Sequence, residues 1–447
     1  MPLLKLEKKE QQTRKAYDKT ARKDNAIISF LKDIALTIAD KKFIGLEKKF
    51  DFTADSAITS LASAALYAGK KIVIFTTKSG KVYALDENFK IEWVYSLKEK
   101  LTETELFFTE KAEVKDIYTT PTIADINKDK KNEIIFGTDT GNIYALNSMG
   151  KLLWIYKTKG KVRSSVLVAD INNDNKSEII FGSNDKNLYA LNSKGKLIWK
   201  FMARSGIEAK PSFLKHKNKA QIIFGSNDGT IYSLDSNGKL LWQFKAKGKI
   251  TAAASIGKIY GDSKDYIVVG SFDGHIYALD SIGKLKWKHK TEGNIFSKAS
   301  LADINNDNKL EIIFGSCDNN VHALSCYGEE IWSYETDFWV AATPQVVDID
   351  NDGRYEVIAG SYDKRLYILD AEGEFLLRYL PGVSSVTQQS GYHDETIRSQ
   401  PGSYHGKKLC DYKSEGMIIG VACIENKEKN IVIGTENGKL NSFILSR

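Results

Sequence analysis

Residues 169–201 read ADINNDNKSEIIFGSNDKNLYALNSKGKLIWKF, and close variants of this stretch return along the 447-residue chain. The copies resemble the pattern Gly-[Ser/Thr]-x-[Asp/Asn]-Gly-x-[Ile/Leu/Val]-Tyr, which GSNDGTIY (225–232) and GSFDGHIY (270–277) match in full and the others match in part. Alignment on the last position of this pattern places eight residues in register, one from each copy: Tyr83, Tyr144, Tyr189, Tyr232, Tyr277, His322, Tyr367 and Asn441. The copies between Tyr144 and Tyr367 are 43 to 45 residues apart, a spacing typical of a structural repeat.

Each copy predicts four short β-strands. Around the quoted stretch they are SSVLVADI, SEIIFGS, NLYALNS and KLIWKF, which are rich in β-branched and aromatic residues and bounded by Gly, Asn, Asp and Ser. Four strands per repeat are what one blade of a β-propeller needs, since each blade buries its faces against its neighbours. The sequence therefore predicts an all-β fold, an eight-bladed β-propeller of four-stranded antiparallel blades.

The two ends of the sequence predict that the ring is closed by an N-terminal strand. The last copy supplies only three strands, GMIIGVACIE, NIVIGTEN and KLNSFIL. Residues 42–53 contain FIGLEKKFDF, which predicts the missing outermost strand of blade eight. Pairing of these segments removes exposed sheet edges. We expect a propeller over 42–447, with long insertions at 97–117 and 381–413.

A tryptophan follows the aligned position by ten residues in the first six copies. These residues are Trp93, Trp154, Trp199, Trp242, Trp287 and Trp332, and Leu377 takes the place in copy seven. A large aromatic side chain at a fixed place in every blade indicates packing between blades. Trp339 lies outside this pattern, next to Phe338, and is a candidate either for lining the central funnel or for packing at its rim.

Four copies carry an acidic loop with the pattern Asp-x-[Asn/Asp]-x-Asp-x-x-x-Glu between their first and second strands. The candidate metal ligands are Asp125, Asn127, Asp129 and Glu133; Asp170, Asn172, Asp174 and Glu178; Asp303, Asn305, Asp307 and Glu311; and Asp348, Asp350, Asp352 and Glu356. Oxygen atoms at positions one, three and five suit a structural Ca²⁺ ion. The alternative is a hairpin loop whose side chains accept hydrogen bonds from backbone N–H groups.

The sixth position of each acidic loop ranks the four loops as calcium sites. A tight turn there favours a residue that tolerates a positive φ angle. Loop seven has Gly353, loops three and six have Asn175 and Asn308, and loop two has Lys130. We therefore expect loop seven to be the best calcium site and loop two the poorest.

Residues 1–41 predict a basic, amphipathic α-helical arm. Ile27, Leu31, Ile34 and Ile38 recur at helical spacing and form one apolar stripe. We expect this stripe to dock on the propeller itself or in a groove of a protein partner. Residues 1–42 hold 11 Lys or Arg against 6 Asp or Glu, while the whole chain carries a net charge of +7. The arm is thus a weak candidate for peripheral membrane contact, and nucleic-acid binding is not expected of a nearly neutral propeller.

Two known families resemble parts of the repeat. The segment IYALDSIGKLKWKHK (276–290) resembles the repeat of pyrroloquinoline-quinone-type (PQQ-type) eight-bladed propellers, and DIDNDGRYEVIAGS (348–361) resembles the FG-GAP repeat, whose acidic loop commonly holds calcium. The dehydrogenases among the quinoproteins are exported and often carry an adjacent cysteine pair, which is missing among the four separated cysteines of this chain. The resemblance therefore implies a non-enzymatic member without PQQ. Non-enzymatic relatives, including outer-membrane assembly propellers, use the ring for protein contacts.

The predicted function follows from these features. The N-terminus MPLLKLEKKEQQTRK carries charges where a signal peptide is apolar, so we expect a cytoplasmic protein. We expect a protein–protein interaction scaffold without enzyme activity, which binds partners through the N-terminal helix and the insertion face. The insertion face is the side of the ring that carries the connections from one blade to the next, and His393 and Trp339 are its candidate contact residues. The alternative is an enzyme or small-ligand-binding propeller with its site in the central funnel.

Overall fold

The computed structural model describes residues 44–67, 70–98, 116–216, 219–349, 351–373, 377–378, 412–425 and 429–446. Within these ranges all regular secondary structure is β-strand, and no helix there is long and apolar enough to cross a membrane. The predicted helical arm with Ile27, Leu31, Ile34 and Ile38 lies outside these ranges. His393 and most of both insertions also lie outside them.

The first strand of the chain, β1 (Ile44–Thr53), belongs to the last blade, and blades one to four follow it. Each of these blades is a four-stranded antiparallel sheet whose strands follow chain order. Their strands are β2 (Ile58–Tyr67), β3 (Lys70–Thr77), β4 (Lys81–Leu85) and β5 (Ile91–Ser96); β6 (Thr122–Ala124), β7 (Glu133–Gly137), β8 (Asn142–Leu146) and β9 (Leu152–Lys157); β10 (Leu167–Ala169), β11 (Glu178–Gly182), β12 (Asn187–Leu191) and β13 (Leu197–Met202); and β14 (Ser212–His216), β15 (Lys219–Gly225), β16 (Thr230–Leu234) and β17 (Leu240–Lys245).

Blades five and six repeat this arrangement, whereas blades seven and eight depart from it at their outer edges. Their strands are β18 (Ser255–Gly257), β19 (Tyr266–Gly270), β20 (His275–Asp280) and β21 (Leu285–Lys290); β22 (Ser300–Ala302), β23 (Glu311–Gly315), β24 (Asn320–Leu324) and β25 (Glu330–Glu335); β26 (Gln345–Val347), β27 (Glu356–Gly360) and β28 (Arg365–Leu369); β29 (Leu377–Arg378) and β30 (Tyr412–Lys413); and β31 (Ile418–Glu425), β32 (Lys429–Thr435) and β33 (Lys439–Ser446).

The eight blades form a closed ring. The first strand of every blade contacts the first strands of both neighbouring blades, and β31 of blade eight contacts β2 of blade one. At the seam, β1 pairs antiparallel with β33, with Asp51 opposite Asn441 and Thr53 opposite Lys439. This pairing confirms that an N-terminal strand completes blade eight and removes the exposed edge of β33.

The outer strand of blade seven corrects the sequence alignment. Leu377 was expected in that strand, but β29, which contains it, pairs with β1 at the edge of blade eight. The fourth strand of blade seven is β30, in which Tyr412 lies opposite Leu366 of β28. Ser414 then donates its backbone N–H to the Lys364 carbonyl, as Thr158 does to Gly141 in blade two. Insertion 381–413 therefore interrupts blade seven instead of following it.

The sequence contains a signal for this correction. The run YKSEG (412–416) matches YKTKG (156–160), which ends the outermost strand of blade two. Copy seven also lacks the tryptophan that fixes this strand to the next blade in six other copies. Without that anchor the strand after β28 joins another sheet, and YKSEG provides the edge pairing of blade seven.

The core lies between adjacent blades. Fully buried phenylalanines on the second strands stack on the aligned aromatic residue of the third strand: Phe75 on Tyr83, Phe136 on Tyr144, Phe181 on Tyr189, Phe224 on Tyr232 and Phe314 on His322, with ring centroids 4.8 to 5.4 Å apart. Hydrophobic clusters built around these rings include residues of two neighbouring blades. Because each blade buries its face on the next, contacts between neighbouring blades contribute a large part of the stability of the ring.

The six tryptophans connect blades one to six each to the following blade, which confirms their packing role. Each indole Nε1 donates to a backbone carbonyl of the next blade, at 2.7 to 3.2 Å. Each indole ring also lies on a glycine with positive φ in the same turn: Gly150, Gly195, Gly238, Gly283, Gly328 and Gly373. At Gly238, for example, a Cβ atom would lie 2.8 Å from Cδ2 of Trp199. Glycine is therefore required both by the backbone angle and by the indole.

Candidate functional site

The centre of the ring contains a cavity of about 750 Å³. Its walls are the first strands and preceding residues of blades one, five, six, seven and eight, with Thr120 from blade two. The lining consists mostly of serine, threonine, alanine and small aliphatic side chains, and Lys298 is its single charged residue. The fold thus provides a central channel large enough for a small molecule.

Hydroxyl groups connect neighbouring blades around this channel. The Oγ atom of Ser212 donates to the Ala254 carbonyl at 2.6 Å, and Ser255 donates to Ala299 at 2.5 Å. Thr122 and Ser300 make the equivalent bonds in their blades. These hydroxyl groups therefore donate their hydrogen bonds to backbone carbonyls of the neighbouring blade and have no proton left to donate to a ligand in the channel.

Lys298 lines the channel, and Lys210 has the same position in the repeat of blade four; both residues remain exposed to solvent. The residue two positions before the first strand is Thr120, Ser165, Lys210, Ala253, Lys298 and Thr343 in blades two to seven. Burial lowers the pKa of Lys298. Burial and repulsion by the charge of Lys298 lower the pKa of Lys210. Sequence reasoning missed both lysines, although their shared register in the repeat is visible once the blades are aligned.

The insertion face also carries the turns between second and third strands. The backbone N–H of Thr158, at the end of β9, donates to the carbonyl of Gly141 in such a turn, and Ala246 and Thr291 repeat this bond in blades four and five. Both described ends of insertion 97–117 lie in the connection from blade one to blade two, as predicted. Insertion 381–413 instead lies within blade seven.

Aromatic side chains are exposed on the insertion face. Phe338 and Trp339 are 43% and 41% exposed and stack on each other, with centroids 5.2 Å apart and an interplanar angle of 12°. They precede the cavity lining, which begins at Ala341 in this connection. Trp339 therefore lies at the rim of the channel and not in its wall.

Another exposed aromatic residue, Tyr118, lies on the connection into blade two. The Arg163 guanidinium lies 4.9 Å from its ring centroid and makes a bidentate pair with Asp139 at 2.6 and 2.9 Å. Burial opposes ionisation of Asp139, but Arg163 and Lys161 outweigh it and lower its pKa. Burial and the Asp116 carboxylate raise the pKa of Tyr118 to about 12, so its hydroxyl stays protonated and donates to Asp116 at 3.0 Å. No local motif marks this cluster, since its members come from three segments.

The acidic loops are closed by hydrogen bonds to their own backbone. In loop three, Asp170 accepts the N–H groups of Asp174 at 3.2 Å and Asn175 at 3.0 Å. The other three loops repeat both bonds. The ninth residue, Glu178, is buried and accepts the N–H of Ile171 at 3.0 Å. Burial raises the pKa of Glu178, and the hydrogen bond from Ile171 only partly offsets this effect.

The backbone of the acidic loops confirms the expected positive φ at the sixth position. The φ angles of Lys130, Asn175, Asn308 and Gly353 are 66°, 64°, 64° and 88°. Among the described residues, which omit Asp350, no three His, Cys, Asp or Glu side chains are arranged to hold a metal ion. The oxygen donors of the loops suit a hard cation such as Ca²⁺. Calcium binding stays a prediction.

Comparison with known proteins agrees with the propeller architecture. The family model for the lambda-carrageenase β-propeller domain matches residues 72–168, 157–207, 213–286 and 266–396, which overlap because the sequence repeats. The crystal structure of BamB from Moraxella catarrhalis is similar with a TM-score of 0.59 and 17% identity, over 89% of this chain and 99% of BamB. This likeness shows a shared fold. No curated protein matches the chain.

Proposed function

We propose that this chain, which belongs to the family of lambda-carrageenase β-propeller domains, acts as a cytoplasmic scaffold that binds protein partners through its insertion face. The ring provides a rigid platform, and its fold resembles that of BamB. Enzyme activity is not part of this proposal. The contact residues are Phe338, Trp339 and Tyr118.

The exposed pair Phe338–Trp339 carries the proposal. The Trp339 carbonyl accepts the Tyr362 N–H, and Lys161, Lys249 and Asn294 accept the same backbone bond in blades two, four and five. Those residues are polar and follow a glycine in each case, so the ring does not need aromatic side chains at this place. Exposed aromatic residues that the fold does not require are typical of protein-binding hot spots.

The arrangement around Tyr118 also supports binding of a protein partner to the insertion face. Tyrosine and arginine are enriched at interfaces because they combine a large contact area with polar groups. The Asp139 carboxylate holds Arg163 above the Tyr118 ring, so this contact surface is formed before a partner arrives. Preformed side chains lose less conformational entropy on binding.

The test compares the parent chain with the double variant Phe338→Gly and Trp339→Lys, which installs the residues found in blades two and four. This variant should fold as the parent does, because its backbone bonds are unchanged. We expect a stoichiometric partner that copurifies from the native host with the parent to be lost. The control is Ile282→Lys, which alters a 72% exposed residue in a turn on the opposite face. Equal recovery of the partner with both variants would contradict the proposal.

A second candidate function is an enzyme or small-ligand-binding propeller with its site in the central channel. The cavity of about 750 Å³ favours it, and the family is named for enzymes that act on lambda-carrageenan. The test is incubation of the full chain with lambda-carrageenan and measurement of new reducing ends. Turnover would favour this candidate over the scaffold, and no turnover would remove catalysis of that reaction.

A further inference from the structure

The outer rim of the ring is basic along one sector. The outer hairpin of a blade is its outermost strand together with the turn that precedes it. In blades two to five these hairpins hold 11 Lys against 2 Asp, over residues 147–157, 192–202, 235–245 and 280–290. In blades one and six they hold one Lys against six Asp or Glu, over residues 86–96 and 325–335. Blades two to five therefore form a basic sector of the rim.

The outer strands of the basic sector present open backbone edges. In the described part of the chain no further strand pairs with β9, β13, β17 or β21, each of which ends its sheet. Every second residue of β9 bonds to β8, in register with Thr158, whose N–H donates to the Gly141 carbonyl. Ile155 and Lys157 lie between these bonded residues. Their N–H and C=O groups therefore point to the open edge.

Within the basic sector, the edge of blade two is the least protected against strand pairing. At the position of Ile155, blades three, four and five carry Lys200, Gln243 and Lys288. Polar and charged side chains, especially lysine, protect a sheet edge from pairing with another chain. Blade two instead exposes the apolar side chains of Leu153 and Ile155, which are 47% and 48% exposed. Its edge is therefore open to an additional strand.

We propose that β9 binds an extended segment of a protein partner, which adds to blade two as a fifth strand and carries apolar side chains between acidic ones. The ring already contains such an addition, because β29 pairs with β1 at the outer edge of blade eight. In strand addition the backbone hydrogen bonds give affinity and the side chains give specificity. Leu153 and Ile155 select apolar side chains, and Lys151 and Lys157 at the two ends select acidic ones.

Charge and shape favour an acidic strand over two other occupants. A second copy of β9 would bring two basic sectors together, and like charges on paired strands are destabilising. A flat membrane cannot lie against all four blades of the basic sector, because their outer edges point in different directions around the ring. The proposed surface is separate from the insertion face, so its failure would leave the proposed function untouched.

The first test is fluorescence anisotropy of a labelled peptide, Glu-Thr-Val-Thr-Val-Thr-Glu, titrated with the full chain. In an antiparallel pairing its valines lie opposite Leu153 and Ile155, and its glutamates lie beside Lys151 and Lys157. We expect saturable binding of one equivalent. Affinity should fall at least about tenfold for a peptide with Lys at both ends and for one methylated at both valine nitrogens, which cannot donate the pairing hydrogen bonds.

The second test uses the variant Ile155→Pro, which removes the outward N–H and keeps the bonds to β8. The matched control is Ser333→Pro, at the equivalent position of β25 in blade six. We expect Ile155→Pro to weaken peptide binding at least about tenfold and Ser333→Pro to leave it unchanged. In the unmodified protein the peptide should slow hydrogen exchange of the Ile155 N–H but not of the Ser333 N–H.

Several results would overturn the proposal. They are no saturable binding of the acidic peptide, equal binding of its N-methylated form, or equal binding by the two proline variants. A dimer of the parent that Ile155→Pro abolishes would assign the edge to a second copy. Binding to phosphatidylserine vesicles without binding of the peptide would assign the basic sector to a membrane.

Discussion

Replacing Gly238 with alanine tests the contact that joins one blade to the next. Gly238 has φ of +77°, and an added Cβ atom would lie 2.8 Å from both Cδ2 and Cε3 of Trp199. Positive φ costs a residue with a Cβ atom about 1–2 kcal/mol. Forcing the indole away from its packed position costs about 1–3 kcal/mol more. We expect Gly238→Ala to lower the free energy of unfolding by about 2–5 kcal/mol.

The matched control is Gly353→Ala in acidic loop seven. Gly353 has φ of +88°, and nothing lies within 4 Å of the position of an added Cβ atom. Gly353→Ala should therefore lower the free energy of unfolding only by the backbone contribution of about 1–2 kcal/mol. The difference between the two variants isolates the contact with Trp199.

The assay is equilibrium unfolding in urea, followed by far-ultraviolet circular dichroism, for both alanine variants in the parent and in a Trp199→Ala background. Without the indole, Gly238→Ala should cost no more than the control, which gives a coupling of about 1–3 kcal/mol between positions 199 and 238. The reasoning is refuted if Gly238→Ala and Gly353→Ala are equally destabilising in the parent.

Three further predictions follow from charged groups in the blades. Burial opposes a charge on His322, but hydrogen bonds to Asp318 and Glu330 outweigh it and raise its pKa above 6.5. The parent should therefore lose stability relative to His322→Tyr as pH rises through the pKa of His322 in the folded protein. Urea unfolding midpoints of both proteins at several pH values measure this, and a difference in midpoint that does not change with pH would contradict it. Burial raises the pKa of Glu178 above 4.5, so in calcium-free buffer Glu178→Gln should gain stability relative to the parent as pH rises through that pKa. A stability difference between variant and parent that is the same at pH 7 as below pH 4, or that favours the parent more at pH 7, would count against it. Calcium should raise the melting temperature of the parent more than that of Asp348→Asn, and identical melting of both with calcium and with chelator would remove the metal hypothesis.

Local repeats made most of the fold predictable from the sequence. The aligned tyrosines, the tryptophans ten residues later and the incomplete last copy each reflect a contact between neighbouring blades, so they recur in the sequence. The outer strand of blade seven was not predictable in this way, because insertion 381–413 separates it from β28. Leu377 follows the aligned position at the usual spacing but pairs elsewhere, while YKSEG at 412–416 takes its place.

The candidate sites were less predictable than the fold. Lys210 and Lys298 come from different blades, so no local motif marks them. Tyr118 and Arg163 come from the connections into blades two and three and meet only because these neighbouring blades pack side by side. Trp339 was recognisable because it departs from the repeat, since no packing position requires it. The acidic loops were found by their pattern, but the same side chains that resemble calcium ligands also close the loops with backbone hydrogen bonds.

Closure of the ring by β1 is the central claim, because the channel and both faces exist only in a closed ring. It is tested most directly by oxidation of the double variant Thr53→Cys and Lys439→Cys, whose positions lie opposite each other at the seam. A variant that pairs Thr53→Cys with Lys290→Cys, on the outer strand of blade five, is the control. We predict that peptide mass spectrometry finds an intramolecular disulfide between positions 53 and 439 and none between 53 and 290. Absence of the link between 53 and 439 in the folded monomer would contradict the closed eight-bladed ring.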